Sequence, residues 1–282
     1  MKIDIPMSVP QKKKKVYEKN FKDATKKTGN LFLFAGDQKL EHLNDDFSLK
    51  LGYGNSDPEH LFKIADSSKI GVFAAHLGLI SRYGKKYKNI PYLIKLNGKS
   101  NIVKTKDPFS PALWSVKDVV DFKNESKLKI LGVGYTIYLG SEYEVEMLKE
   151  ASQIINEAHK NGLIAVLWIY PRGKNVKNEK DKDLITGAAG LGLCLGADFI
   201  KLNYPFKKGK EEAKKAKEIT LAAGNSGIIF SGGGKISNKD FIDLSKNQIK
   251  ISGARGFAVG RNIHQNSLKK AIELSNKLSE II

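Results

Sequence analysis

Short apolar segments rich in β-forming residues alternate with helix-forming segments along the chain after residue 30. Each apolar segment is continuous, which is typical of strands buried on both faces of a parallel sheet. Eight such segments occur: Leu31–Gly36, Ile70–Ala75, Pro91–Asn97, Ile130–Thr136, Leu163–Ile169, Ala197–Pro205, Ile228–Ser231 and Gly256–Val259. Eight β-α units in 282 residues predict a single (β/α)8 TIM barrel.

The first 30 residues differ from the rest of the chain. They are polar and basic, and one short helix is predicted at about Val16–Lys27. We interpret residues 1–30 as an N-terminal extension that packs over the bottom of the domain, and residues 31–282 as the barrel. A doubly wound open sheet is the alternative, but no G-x-G-x-x-G fingerprint follows the first strand.

Composition narrows the class of protein. The formal net charge of +18 favours anionic partners, and nucleic acid is one candidate. The lysines are spread along the chain, however, and no zinc-finger or helix-turn-helix signature accompanies the two dense runs, Lys12–Lys15 and Lys207–Lys217. A single cysteine, no secretory signal and no apolar run of about 18 residues predict a cytoplasmic protein.

One lysine lies in the middle of the sixth apolar segment. Burial of Lys201 would lower the pKa of its amine, because the charged form loses solvation. A neutral lysine amine is a nucleophile that can form a Schiff base with a carbonyl substrate. The alternative is a lysine at a strand end that reaches solvent or pairs with a carboxylate. The segment alone leaves both readings open.

The strand ends carry side chains that are suited to chemistry. Because all strands of a barrel end on one face, we expect these residues around one mouth: Asp37, His76, Lys95, Tyr135, Tyr170, Lys201, Ser231 and Arg261. An amine, a carboxylate and a phenol in one pocket are what carbinolamine dehydration and carbon–carbon cleavage need. The sequence therefore predicts proton-transfer chemistry at this mouth.

The ends of the last two strands are rich in glycine. Gly232–Gly234 would let backbone N–H groups approach an anion closely, and Gly260 and Arg261 add a bare backbone and a guanidinium group. Phosphate sites of such barrels are commonly built from the loops after strands seven and eight. A plain turn is the alternative for the three glycines. Two such loops in these positions favour a phosphate site.

Metal chemistry has weaker support. The five histidines form no close ligand motif, and paired cysteines are absent from the sequence. The sequence therefore favours a mechanism without metal or other cofactor, although ligands in a barrel can come from distant strands.

Several motifs together resemble the archaeal-type class I fructose-bisphosphate aldolases, which are Schiff-base enzymes. The similarity covers about residues 30 to 265, with the motifs in the family's order. The motifs are Ala35–His42, Trp168–Gly173, Gly196–Lys201, Ser231–Gly233 and Ala258–Ile263.

The resemblance implies a role for individual residues. Lys201 matches the Schiff-base lysine, Tyr170 the proton-transferring tyrosine, and Asp37 the aspartate after the first strand. Trp168 matches a pocket tryptophan, and Glu211 a further acidic residue. The residues that match the phosphate grip are Ser231, Gly232, Gly233, Gly260 and Arg261. The family also implies a homo-oligomer that acts in glycolysis and gluconeogenesis.

The first motif departs from the family pattern. Relatives often have a histidine directly after the aspartate, whereas here Gln38 follows Asp37 and a histidine comes only at His42. The substrate is therefore less certain than the chemistry.

Three functions follow from the sequence. The leading hypothesis is a metal-independent aldolase that converts fructose 1,6-bisphosphate to dihydroxyacetone phosphate and glyceraldehyde 3-phosphate. The second is a related Schiff-base lyase or transferase for another phosphorylated ketose, such as a synthase of an aminated heptulosonate. The third is a non-enzymatic barrel that binds nucleic acid.

Overall fold

A closed barrel of parallel strands forms the centre of the molecule. The computed structural model describes residues 3–41, 56–102, 105, 107–205 and 209–282. Each strand pairs with its neighbour in the chain, and the eighth pairs with the first. The strands are β1 Leu31–Ala35, β2 Val72–His76, β3 Tyr92–Lys95, β4 Ile130–Leu139, β5 Ile164–Pro171, β6 Phe199–Leu202, β7 Gly227–Ser231 and β8 Gly256–Val259. The predicted (β/α)8 barrel is confirmed.

Helices connect the strands on the outside of the barrel. They are α1 Lys14–Ala24, α2 Gln38–Glu41, α3 Glu59–Ser67, α4 Leu77–Tyr83, α5 Val116–Ser126, α6 Glu144–Lys160, α7 Lys182–Cys194, α8 Lys210–Lys215, α9 Lys217–Ala222, α10 Asn238–Lys250, α11 Arg261–His264 and α12 Leu268–Ser279. Polar caps fix several starts: Asp181 accepts the first N–H groups of α7, for example. None of the described helices is long and apolar enough to cross a membrane.

Among the element boundaries that differ from the sequence prediction, two have a clear physical reason. Helix α1 ends three residues before Lys27, because Lys26 and Lys27 adopt positive φ angles of 50° and 66° that end a right-handed helix. Strand β4 continues to Leu139, because its backbone stays paired with β5 as far as Pro171. The longer β4 carries one more inward side chain, that of Tyr138, to the mouth of the barrel.

The N-terminal segment covers the bottom of the barrel. Tyr17 of α1 donates a hydrogen bond to the buried carboxylate of Asp198, the residue before β6. The rings of Phe21 and Phe199 stack with their centroids 5.5 Å apart. These contacts fix α1 at the amino ends of the strands, on the side opposite the mouth. The division into residues 1–30 and 31–282 as an extension and a catalytic domain stays a prediction.

One glycine makes the closure of the barrel possible. At the seam, Gly256 of β8 lies against Leu31 of β1 with a φ of +131°. A Cβ on Gly256 would lie 2.0 Å from the carbonyl oxygen of Leu31, a distance that two nonbonded atoms do not tolerate. Only glycine therefore fits this position of the seam.

We expect Gly256→Ala to destabilise the protein by more than about 2 kcal/mol, through backbone strain and the clash at the seam. The control is Gly187→Ala on the exposed side of α7, where a Cβ meets nothing within 4 Å and helix propensity favours alanine. Chemical denaturation of both variants measures the difference. Equal stability of the two variants would contradict this account of the seam.

Candidate active site

A cavity of about 260 Å³ opens at the carboxyl ends of the strands. Its wall contains eight of the residues that the sequence predicts at the site: Asp37, Tyr170, Lys201, Ser231, Gly232, Gly233, Gly260 and Arg261. Trp168, which matches a pocket tryptophan, is fully buried and does not line the cavity. The barrel thus brings together groups that lie up to 224 positions apart in the chain, from Asp37 to Arg261.

Lys201 lies deep in this cavity. Its neighbours in the sheet are Trp168 of β5 and Ile229 of β7, and only 6% of the residue is exposed. The Lys201 Nζ atom lies 5.1 Å from the centroid of the Trp168 ring. Burial lowers the pKa of the amine to about 8, although the charge of Asp37 works in the opposite direction. On the order of one amine in ten is therefore neutral at pH 7.

Tyr170 and Asp37 provide a phenol and a carboxylate in the same cavity. Tyr170 follows Trp168 by two positions in β5, so both side chains point into the barrel. Burial, and then the charges of Asp37 and Glu41, hold the pKa of the Tyr170 phenol well above 10, which keeps it protonated. Both oxygens of Asp37 are buried, and among the described residues neither has a hydrogen-bond partner. A buried carboxylate without partners is typical of a functional site.

The glycine-rich loop after β7 forms one wall of the cavity. Gly233 has a φ of +62°, which favours glycine, and the space around it is open. Asn262 holds the loop, because its amide group donates hydrogen bonds to the carbonyl oxygens of Gly232 (2.8 Å) and Gly234 (3.1 Å). The N–H of Gly232 itself donates to Ala258 O at 2.9 Å. Gly232 therefore shapes the wall but has no free N–H for an anion.

The turn after β8 contributes the neighbouring wall. A Cβ on Gly260 would lie 2.2 Å from the amide nitrogen of Gln38, so the absence of a side chain lets Gln38 approach. Arg261 follows directly and is exposed at the rim. On the next wall, the hydroxyl of Ser231 donates to Asn203 Oδ1 at 3.0 Å. The result is a basic, hydroxyl-bearing and glycine-rich concavity, which is suited to a phosphate group.

Four polar residues that line the cavity have no role predicted from the sequence: Gln38, Asn101, Arg172 and Asn203. Arg172 stands out, because its guanidinium makes two hydrogen bonds to Glu179, of 2.6 and 2.7 Å. It also lies over the rings of Tyr138 and Tyr170, at 5.5 and 5.8 Å from their centroids. Arg172 directly follows the end of β5, and this position in the sequence could have predicted that it lies at the mouth. Asn101 lies in an irregular stretch and gave no such signal.

Three residues that were expected at the mouth do not line the cavity: Tyr135, His76 and Lys95. Tyr135 points to the outside of the barrel and donates a hydrogen bond of 2.6 Å to Glu150 of α6, because alternate residues of β4 face opposite sides. The expectation for Tyr135 was therefore wrong. His76 is buried behind the cavity wall, with Nε2 3.0 Å from Asn97 O.

Glu211, like Lys95, does not line the cavity. Glu211 is exposed on α8 and pairs with Lys214 at 2.8 Å. Lys95 is fully buried and forms an ion pair of 3.0 Å with Glu41. His42 lies outside the described residues. Within the described ranges, no three histidine, cysteine or acidic side chains are arranged to hold a metal ion.

Comparison with known proteins gives a consistent result. Residues 31–266 match the model of the DeoC/LacD family aldolases. A protein of Methanocaldococcus jannaschii, named fructose-bisphosphate aldolase/6-deoxy-5-ketofructose 1-phosphate synthase, is 56% identical over 280 residues, which are 99% of this chain and 90% of the relative.

Two solved structures share the fold. A fructose-bisphosphate aldolase from Slackia heliotrinireducens superposes with a TM-score of 0.93 at 47% identity, over 99% of this chain and 89% of that one. An archaeal fructose-1,6-bisphosphate aldolase, with its catalytic lysine bound covalently to a carbinolamine intermediate, superposes with a TM-score of 0.81 at 30% identity. That match covers 94% of this chain and 99% of the other. The barrel and its cavity agree with these similarities. The match over residues 31–266 shows that the chain belongs to the DeoC/LacD family of aldolases.

Proposed function

We propose that this protein is a class I aldolase that cleaves and forms fructose 1,6-bisphosphate. The observation that carries the proposal is the buried amine of Lys201, whose pKa is lowered. The same cavity is lined by the protonated phenol of Tyr170 and by glycine-rich walls that suit a phosphate group. The products would be dihydroxyacetone phosphate and glyceraldehyde 3-phosphate. The nucleic-acid-binding hypothesis is set aside, because the chain belongs to an aldolase family.

The first half of the reaction forms the Schiff base. The neutral amine of Lys201 attacks the C2 carbonyl of the ketose and gives a carbinolamine. The phenol of Tyr170 donates its proton to the C2 hydroxyl, which leaves as water, so that an iminium ion and a phenolate remain. The carboxylate of Asp37 stabilises the positive charge of the iminium ion, because both lie in one buried cavity.

The second half breaks the carbon–carbon bond. The Tyr170 phenolate accepts the proton of the C4 hydroxyl, the C3–C4 bond breaks, and its electron pair neutralises the iminium ion as an enamine. The aldehyde product leaves. The phenol then protonates C3, and hydrolysis of the second iminium ion, with the phenolate as base, releases dihydroxyacetone phosphate and restores Lys201. One tyrosine thus suffices for all proton transfers, which agrees with the exposed position of Glu211.

The two phosphates need two ends of the cavity. The glycine-rich walls after β7 and β8 suit the phosphate of the ketone half, and Arg172 at the end of β5 suits the second phosphate. Glu179 already neutralises Arg172 here. A phosphate at this end would replace Glu179 as the partner of Arg172, whereas an acceptor aldehyde without phosphate would leave the pair intact. The same site therefore also suits a second activity with such an acceptor. The name of the Methanocaldococcus relative couples two such activities.

Assembly into a homo-oligomer, a cytoplasmic location and a role in glycolysis and gluconeogenesis are parts of this proposal. The oligomer and the metabolic role follow from the sequence resemblance, and the location follows from the composition; all three remain predictions.

Reduction with borohydride in the presence of dihydroxyacetone phosphate should attach the ligand to Lys201, and peptide mass spectrometry identifies the modified residue. Lys201→Met should lose both the adduct and the activity but keep its circular dichroism spectrum. Lys177→Met, at an exposed position, is the matched control and should behave as the parent protein. An adduct on any other lysine would contradict the assignment of the nucleophile.

The value of kcat/KM should rise with pH and level off, with a midpoint near pH 8. Only the neutral Lys201 amine attacks the substrate, and burial lowers the pKa of this amine to about 8. Below the midpoint, about tenfold should be lost per pH unit. A pH profile from 6 to 10 measures the limb. A midpoint near 10.5, the ordinary value for lysine, would exclude the buried amine as the titrating group.

Arg172→Ala should lower kcat/KM for fructose 1,6-bisphosphate by about 10- to 100-fold, because a charge-assisted contact to the second phosphate is lost. The value for fructose 1-phosphate should change by less than about threefold. Steady-state kinetics with both substrates separates the two effects. Equal losses for the two substrates would show that Arg172 does not bind the second phosphate.

A further inference from the structure

Glu41 is a fully buried carboxylate next to the cavity, and the proposed mechanism gives it no task. It ends the short helix α2 and accepts hydrogen bonds from four buried side chains. The donors are Lys95 (3.0 Å), Ser110 (3.1 Å), Thr136 (3.3 Å) and Tyr138 (2.7 Å). A buried polar cluster with so many donors fixes the conformations of its members.

Lys95, which forms an ion pair with Glu41, is also held by several hydrogen bonds. Lys95 Nζ also donates hydrogen bonds to the backbone oxygen (2.9 Å) and the side-chain oxygen (2.6 Å) of Asn97. Asn97 in turn donates to the carbonyl oxygens of Ser110 (2.7 Å) and Thr136 (2.8 Å). Three acceptors thus surround the Lys95 Nζ atom, one for each N–H donor of an ammonium group.

Two chains of contact lead from this cluster to the proposed catalytic residues. Lys95 Nζ lies 5.6 Å from the centroid of the Trp168 ring, and Lys201 Nζ lies 5.1 Å from the same ring. On the other side, Glu41 fixes the hydroxyl of Tyr138, whose ring lies 6.5 Å from that of Tyr170. Tyr138 and Tyr170 are also direct neighbours in the β4–β5 pairing.

The chain itself provides a third connection. Asp37 and Gln38 line the cavity and lie four and three residues before Glu41, Asp37 in the turn between β1 and α2 and Gln38 at the start of α2. The contacts of Glu41 with β3 and β4 hold this turn across the mouth of the barrel. The Glu41 carboxylate therefore fixes the turn that carries Asp37. It also fixes Lys95, which lies near the proposed nucleophile, and Tyr138, which lies next to the proposed acid/base tyrosine.

We infer that Glu41 is a positioning residue for the aldolase reaction: through Lys95 it fixes the surroundings of Lys201, and through Tyr138 it fixes those of Tyr170. This inference rests on the proposed function. It predicts that removing the charge of Glu41 lowers kcat although Glu41 does not line the cavity.

The electrostatics of the site give this role a specific signature. The charged groups that act on Lys201 are Asp37 before α2, Glu41 at the end of α2, Lys95 on β3 and Arg261 after β8. The negative charge of Glu41 raises the pKa of Lys201, whereas the positive charge of Lys95 lowers it. Removal of the two charges should therefore move the acidic limb of the pH profile in opposite directions.

The test compares single variants in the full-length protein. Glu41→Gln should lower kcat at least about tenfold and move the midpoint of kcat/KM to lower pH. Lys95→Met should move it to higher pH. Glu150→Gln is the matched control, because Glu150 accepts a hydrogen bond from Tyr135 on the outer face of β4, and it should change neither kcat nor the midpoint. Unchanged kcat and midpoint in Glu41→Gln would overturn the inference.

A double variant keeps the test valid if the single variants fail to fold. Glu41→Leu with Lys95→Met replaces the buried pair with apolar side chains of similar size, which buried pairs often tolerate. A folded double variant with kcat reduced at least about tenfold supports the positioning role, and one with full activity overturns it. If the parent protein itself forms no adduct with dihydroxyacetone phosphate, the proposed function fails first, independently of Glu41.

Discussion

The seam between β1 and β8 is the contact on which the candidate site depends. Four residue pairs, from Leu31 with Gly256 to Phe34 with Val259, close the sheet into a barrel. Closure removes the sheet edges and places the end of the first strand beside the end of the last. Asp37 and Gln38 thereby come next to Gly260 and Arg261, which lie more than 220 positions further along the chain. An open sheet would separate these groups.

Lys95 and Lys201 are both buried in the interior of the barrel, but their surroundings differ. Lys95 has a carboxylate and two amide oxygens around its ammonium group, and its desolvation is offset by these contacts. Removing one partner of such a pair costs about 3–5 kcal/mol, since the other charge stays buried. Lys201 instead faces a cavity, and burial pushes its amine towards the neutral form. At similar depth, one lysine thus has a structural role, whereas the other faces the cavity as the proposed nucleophile.

Much of the fold was predictable from local pattern. Continuous apolar segments marked all eight strands. The exceptions have local reasons. The positive φ angles at Lys26 and Lys27 ended a helix early, and pairing with β5 extended β4 beyond Thr136. The predicted position of Tyr135 on β4 was also wrong. A residue at a strand end is expected near the mouth, but this does not tell which face of the strand its side chain takes.

The sequence by itself determined the fold class, the family and the residue types of the site, because apolar periodicity and glycine-rich turns are local properties. Lys201, Tyr170 and the phosphate-type loops could be found in this way. Only the tertiary structure decided which side chains share the cavity and which carry buried charge. Glu41 reads in the sequence as one polar residue of a loop, yet four donors from β3, β4 and the segment between them converge on it. Such a cluster depends on contacts between distant segments, and no local pattern encodes them.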